Sequence, residues 1–485
     1  MPWRETLEPV RMQRVALVAP ERTWRHVLVA VADSGSVELD RISDASESAP
    51  SDAARRLQRL DLPEQEPLLR VDPPDLDRLE SSAPPDTLAA LLAGEAALAE
   101  VSGDAVHRGS VAALTGWVPA HDLPAVQDRL TPFGGALVPL PLPRGTDPPT
   151  LLRSRGTLGA SFDPLVRTYA TVPYADLDPT VVAGLAYVLM FGMMFADAGH
   201  GLLVVAAGLA LRAGRPRRFA RFRRTWPFVV GAGVSATVFG VLFGEFFGPT
   251  GVLRPVWIDP LEQPVELLGA AVGVGALLLG GAYALGTVNR WREHGWQAAL
   301  VAPTGLAGVA MFLGLGLLAW GVAVSTPALV GAGVTVAVVG LVLTFLGLFA
   351  AAGGGGAGAA QATVEVMDAV IGLGTSLVSF ARLAAFGLAH AALSSLLADG
   401  VTALANQGPL GRVGALVLAV VGTLAIVAFE ALVAGIQALR LEYYELFSRV
   451  FESEGRPFRP WHVSTAAPAQ TAPAETAQPE TRWSP

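Results

Sequence analysis

LVSFARLAAFGLAH, residues 377–390, is the stretch on which the fold turns. Its apolar residues read as a membrane-buried helix, yet Arg382 stands in the middle and His390 at the end. Within the apolar run 366–398, Arg382 lies about sixteen residues from either end, roughly 24 Å of helix each way. Snorkelling does not easily carry a guanidinium to water over that distance. A charge at the centre of a span costs roughly 2.5–3.5 kcal/mol on insertion scales and is read first as a functional residue. The simpler alternative is a structural Arg paired once with a carboxylate to lock two helices.

The rest of the sequence supports a polytopic α-helical membrane protein. Of 485 residues, 52% are hydrophobic and 16% charged, and the apolar ones concentrate after about residue 180. A span needs roughly 20 apolar residues, and eight runs are candidates: 179–196, 198–212, 225–248, 264–287, 297–321, 326–352, 366–398 and 411–448. The second is short, and the last two are long enough to tilt strongly. With the N-terminus inside, the arginine-rich loops RAGRPRRFARFRR and NRWREHGWQ fall on the cytoplasmic side, and an even count returns the C-terminus there.

Ahead of the spans, RVALVAP, ERTWRHVLVAVADSG and SVELD predict strand, helix and strand. SVAALTGWVPA, HDLPAVQDRL and GGALVPLPLP repeat that pattern, as in a small α+β, ferredoxin-like domain. Between the copies lie an arginine-rich helical segment and the Ala/Leu-rich TLAALLAGEAALAEVSG, too short for a long coiled coil. The expected organisation is a cytoplasmic domain over 1–175, a transmembrane domain over 176–462 and a disordered Pro/Ala/Thr-rich tail over 463–485. The N-terminus lacks the apolar core of a signal peptide, so the first domain is expected to stay in the cytoplasm.

Composition also excludes chemistry. There is no Cys, hence no disulfide, thiolate metal site or Cys nucleophile. Every one of the 34 basic residues is Arg, so no Walker A or Schiff-base lysine exists, and nucleotide hydrolysis is not expected on this chain. The net charge of −8 gives no argument for nucleic acid. No cofactor is implied.

Further ionisable residues fall at membrane depth: Asp197, His200, Glu245, Glu365, Asp368, Glu430 and Arg440. Asp197 and His200 occupy a predicted turn between two spans, where interfacial water suffices to explain them. Glu245, near the end of its span, is expected to reach the outer interface. Glu365 and Asp368 are three apart on one helical face and either mark the cytoplasmic surface or serve the path. His390 lies eight residues beyond Arg382, about 12 Å along the helix, and extends a polar path or packs by a hydrogen bond. Glu430 reads as buried, whereas Arg440 stands close to a polar segment.

FGMMFADAGHGLL (191–203), FGVLFGEFFG (239–248), SFARLAAFGLAHAALS (379–394) and FEALVAGIQALRLEYYELFSRVFESEGRPFRPW (429–461) together resemble the membrane stator subunit of V-type and A-type rotary ATPases. This is subunit a of eukaryotes and subunit I of archaea and bacteria. DPPTLLRSRG, FDPLVRTYATVPYADLDPT and GWVP are similar to the same family's cytoplasmic segments, so the resemblance runs from about residue 10 to 461. It implies a non-catalytic subunit that couples H+ or Na+ translocation to ATP synthesis or hydrolysis on other subunits. It further implies that Arg382 and Arg440 face a rotating proteolipid ring (subunit K/c). Glu430 and His390 would belong to the outer half-channel, and Glu365 to the cytoplasmic one. The implied partners are that ring, peripheral-stalk subunits of E and G/H type, rotor and nucleotide-binding subunits, and membrane lipid; the implied location is a prokaryotic cell membrane. Fewer than 180 residues precede the first span, which implies a shortened helical arm.

Phe380, Ala381 and Ala196 replace the family's usual Tyr, Leu and Gly, and GGGGAG (353–358) stands where a more polar inner connection is expected. A secondary transporter would call for inverted repeats between the halves, and the loops and charges do not match in that way. A plain membrane anchor gains nothing from the buried charges.

Overall fold

The computed structural model of the chain describes residues 8–41, 50–62, 64–142, 146–153, 156–215, 217–451 and 454–465. It divides into two compact units, one of residues 10–151 with 457–485, the other of residues 1–9 with 152–456. The division falls at 151/152 rather than at 175/176 because helix Gly156–Tyr169 buries Phe162 and Val166 within the helical unit.

The first unit is α+β. Strand β1 (Met12–Pro20) alternates, burying Val15, Leu17 and Ala19, the period-2 pattern of a half-covered sheet. Helix α1 (Trp24–Ser34) buries Trp24, Val27, Leu28, Val31 and Ala32 at helical spacing and stops at Gly35, whose φ of 58° is left-handed. The chain continues through β2 (Glu38–Leu39), α2 (Asp52–Arg59), β3 (Leu68–Leu69), α3 (Leu76–Ser82) and α4 (Pro85–Gly103). It then forms β4 (Val106–Arg108), β5 (Val111–Pro119), α5 (Leu123–Leu130) and β6 (Ala136–Pro139). The sheet order is β2-β5-β1-β6, with β4 on β5 and every pairing antiparallel. β1 and β2 are therefore parallel with β5 between them, and β5 and β6 parallel with β1 between them. This is the split βαβ arrangement of a ferredoxin-like domain. The segment between the two copies packs α2 on α4 through Ala53, Leu88 and Leu92.

The chain returns to this unit at its far end. Phe458 N–H donates to the Thr150 carbonyl at 3.1 Å, and Trp461 N–H to the Val37 carbonyl at 2.8 Å. Arg459 N–H donates to Glu38 Oε2 at 2.7 Å. Val463 is buried, and β7 (Ser464–Thr465) pairs in parallel with β3. The expectation of disorder from 463 onward is thus corrected for 463–465, which bury an apolar side chain and pair backbone; residues 466–485 lie outside the described residues.

The second unit is helical: α6 (Gly156–Tyr169), α7 (Thr180–Met194), α8 (Ala198–Arg212), α9 (Trp226–Phe243), α10 (Pro264–Val301), α11 (Leu306–Ala323), α12 (Pro327–Ala351), α13 (Gly355–Ser379), α14 (Ala381–Ala405) and α15 (Pro409–Leu441). Among the described residues, six helical runs are long and apolar enough to cross a membrane: 222–243, 264–301, 306–323, 327–351, 355–405 and 409–450. α7 and α8 have 15 residues each, about 22 Å of rise, and fall short of that length. The runs 264–287 and 297–321 divide elsewhere than expected, since α10 continues to Val301 across a kink at Gly295, whose φ is 83°. The core is built from Met190, Met193, Phe195, Ala236, Leu279, Tyr283, Phe380 and Leu383. α15 instead turns Leu416, Val420, Leu424, Phe429, Leu432 and Ile436 outward, an apolar face suited to lipid or to another protein.

Candidate functional site

α7 ends at Met194, and Asp197, in extended conformation, caps α8. Asp197 Oδ1 accepts the N–H of His200 at 2.8 Å and of Phe247 at 3.0 Å, while Oδ2 accepts that of Gly248 at 2.7 Å. One carboxylate therefore caps a helix and stitches its start to the turn after α9. The Ala198 N–H completes the stitch by donating to the Glu245 carbonyl at 3.0 Å. Gly240 permits the close approach, because a Cβ there would lie 2.1 Å from Ala198 N. Asp197 is 0% and His200 1% exposed. The expectation that interfacial water solvates this pair is corrected, since the loop before α10 covers it. Glu245 is likewise buried, and its Oε2 has no hydrogen-bond partner among the described residues.

His390 on α14 reaches the same place. Its ring packs edge-on to His200 with centroids 5.3 Å apart, and Phe195 contacts both rings. Nε2 of His390 lies 3.9 Å from Asp197 Oδ2, and Nδ1 pairs with the Glu430 carboxylate of α15. The chain thus brings together a string of Asp197, His200 and His390, all buried, and the half-buried Glu430, with Glu245 in the adjoining turn. Asp197 and Glu430 both contact His390, so this string can carry a charge or hold a cation.

Arg382 and Arg440 lie in a separate cleft of about 670 Å³, with Ser379, Ile436, Tyr443, Tyr444 and Glu445 also in its walls. Arg382 is half-buried and Arg440 exposed. Neither forms a hydrogen bond or ion pair among the described residues. The apolar helical run around Arg382 is continuous over 355–405, but its hydrogen bonding is interrupted at Phe380, whose backbone stays right-handed helical (φ −72°, ψ −14°), so that Arg382 sits in the first turn of α14. Phe380 is buried against Gly275 of α10, where a Cβ would fall 2.2 Å from its ring. The alternative of a buried Arg locked to one carboxylate does not describe this cleft.

Glu365 and Asp368 share α13 but join neither group; Glu365 accepts from Gln361 Nε2 at 2.8 Å, and Asp368 is exposed.

A second buried polar cluster has no counterpart in the sequence reading. Asn289 of α10 accepts the Leu177 N–H through Oδ1 at 3.1 Å and donates Nδ2 to the Val450 carbonyl at 3.3 Å. Arg290 pairs with Glu293 at 2.8 Å, and Arg292 Nε donates to the Ala175 carbonyl at 2.7 Å. Asp176 is fully buried beside them. Burial, then the negative charge of Glu293, push its carboxyl up to about 8, against the pull of Arg290 and Arg292. The signal was present: Asn289, Arg290 and Glu293 stand at i, i+1 and i+4 on one helical face, in a stretch that also reads as a basic loop. Glu442, buried in a π-helical turn over Glu442–Phe447, was also missed.

Residues 104–220 match the model of the V-type ATPase 116kDa subunit family. The chain is 26% identical over 364 residues to the A-type ATP synthase subunit I of Pyrococcus horikoshii, covering 72% of this chain and 53% of the relative. With that of Archaeoglobus fulgidus it shares 28% over 403 residues, 72% of this chain and 58% of the relative. The V-type ATP synthase subunit I 2 of Treponema pallidum is 35% identical over 153 residues, 30% and 34% of the two chains. The chain spans about half the length of the A-type relatives it matches.

Proposed function

We propose that this chain, a relative of subunit I of A-type ATP synthases and of the V-type ATPase 116kDa subunit family, is the membrane stator of a rotary ATPase. In this reading it supplies two ion half-channels and the arginine that faces a proteolipid ring. α7 and α8 complete eight spans by meeting across a locally thin part of the bilayer. The α+β unit and both termini face the cytoplasm, and the short arm of α2–α4 meets a peripheral stalk. Rotor and nucleotide-binding subunits are the remaining partners, and the ion is H+ or Na+.

One observation carries the proposal: Arg382 and Arg440 share an open cleft beside the outward apolar face of α15 and, among the described residues, neither makes an ion pair, although Glu445 stands in the cleft wall. A ring carboxylate in hydrocarbon stays protonated, and beside a permanent cation it ionises. Each passing carboxylate therefore releases its ion to one half-channel and takes another from the opposite one. The same cation blocks a direct leak between the two. Asp197, His200, Glu245, His390 and Glu430 form the outer path, and Glu365 with Asp368 the inner. The test is Arg382→Ala in the assembled complex, with ATP-driven ion transport in vesicles as readout. Loss of transport with the complex intact is expected; retained coupling overturns the reading.

A further inference from the structure

One ligand-type atom from each of Asp197, His200 and His390 lies within 4.8 Å of the others. Asp197 Oδ2 stands 3.7 Å from His200 Nδ1 and 3.9 Å from His390 Nε2. None of the three residues is more than 2% exposed, and neither imidazole nitrogen has a hydrogen-bond partner among the described residues. Tetrahedral Zn2+, with bonds of about 2.0–2.1 Å, holds its ligand atoms roughly 3.3 Å apart. The two Asp197 distances need to close by about half an ångström, and the distance between the imidazole nitrogens, within 4.8 Å, by up to about 1.5 Å, which side-chain rotations can supply.

The groups behind the three are those a metal site requires. Asp197 is fixed by three backbone N–H donors, which leave Oδ2 a lone pair toward the histidines. His390 gives Nδ1 to the Glu430 carboxylate, so its Nε2 lone pair points to the shared space. This is the carboxylate–histidine support that orients ligating imidazoles. The two carboxylates neutralise a divalent charge in a setting where net charge is expensive. Mg2+ and Ca2+ call for six or more oxygens and do not suit two nitrogens and one carboxylate.

We propose that Asp197, His200 and His390 form a binding site for a divalent transition-metal ion of the Zn2+ class, with Glu430 as the positioning residue of His390. The site itself stands without the stator reading. Its consequence rests on that reading: Zn2+ held there closes the outer path.

The experiment uses the full chain in detergent, without a polyhistidine tag, stripped by chelator and dialysed against Zn2+, with bound metal counted by mass spectrometry. One Zn2+ per chain is expected. His200→Gln and His390→Gln should each weaken retention by at least about tenfold, and Glu430→Gln by about 10- to 100-fold. His121→Ala and His294→Ala alter exposed imidazoles and should change nothing. Should a variant fold poorly, the Zn2+-induced rise in unfolding temperature of the unaltered chain is the second measure. No Zn2+ retained by the unaltered chain, or undiminished retention in both His→Gln variants, overturns the site. Zn2+ bound with transport of the assembled complex unaffected leaves the site standing and removes these residues from the path.

Discussion

Asp197 shows how one side chain can serve both fold and function. It caps α8, ties the turn after α9 and faces His390. Asp197→Ala should lower stability by about 1–3 kcal/mol, the range for leaving buried donors unpaired, read as a lower unfolding temperature in detergent. Arg382→Lys should not restore the transport lost in Arg382→Ala, because a lysine can discharge where a guanidinium cannot. Asp176 makes a pH prediction. Its folded pKa lies above the ordinary 3.8, at about 8, so the folded state binds the extra proton. The associated stability is full below the ordinary value and is lost as pH rises through about 8. Unfolding temperature should therefore fall across that window, and Asp176→Asn should flatten the fall. Membrane-depth charge made Asp197, His200, His390 and Glu430 legible as candidates in the sequence. Their convergence was not legible, since it depends on which spans are neighbours. Asp176 was missed because its burial comes from α10, more than a hundred residues away.

At the scale of elements, alternation in β1 and β5 and the 3.6-residue spacing of α1 made the ferredoxin-like unit readable. α7 and α8 were bounded almost to the residue, because Asp197 caps one and polar residues flank the other. The break at Phe380 was invisible, since no Gly or Pro marks it; it arises where the ring inserts against α10. Gly275→Val should push that ring out, cost about 1–3 kcal/mol by overpacking and shift the first turn of α14. Transport by the assembled complex should fall more than it does for Gly269→Ala, where a Cβ meets nothing within 4 Å. Equal effects of the two would mean that the break does not position Arg382.

At the scale of the whole molecule, the chain crosses between its two units at 9/10, 151/152 and 456/457. Truncation after Arg456 should leave Leu69 and Val37 uncovered and speed tryptic cleavage of the α+β unit, without removing any residue proposed for the ion path. An unchanged digestion pattern would mean that the returning segment adds nothing to that unit. Of the three crossings, only the link at 151/152 joins the two long segments; that at 456/457 ends in the returning segment, which the β7–β3 pairing and the Phe458, Arg459 and Trp461 hydrogen bonds hold in the α+β unit. A cut at 151/152 would therefore leave the grip of the α+β unit on that segment to non-covalent contacts, and a pull along the chain would be borne there by backbone hydrogen bonds rather than by a peptide bond.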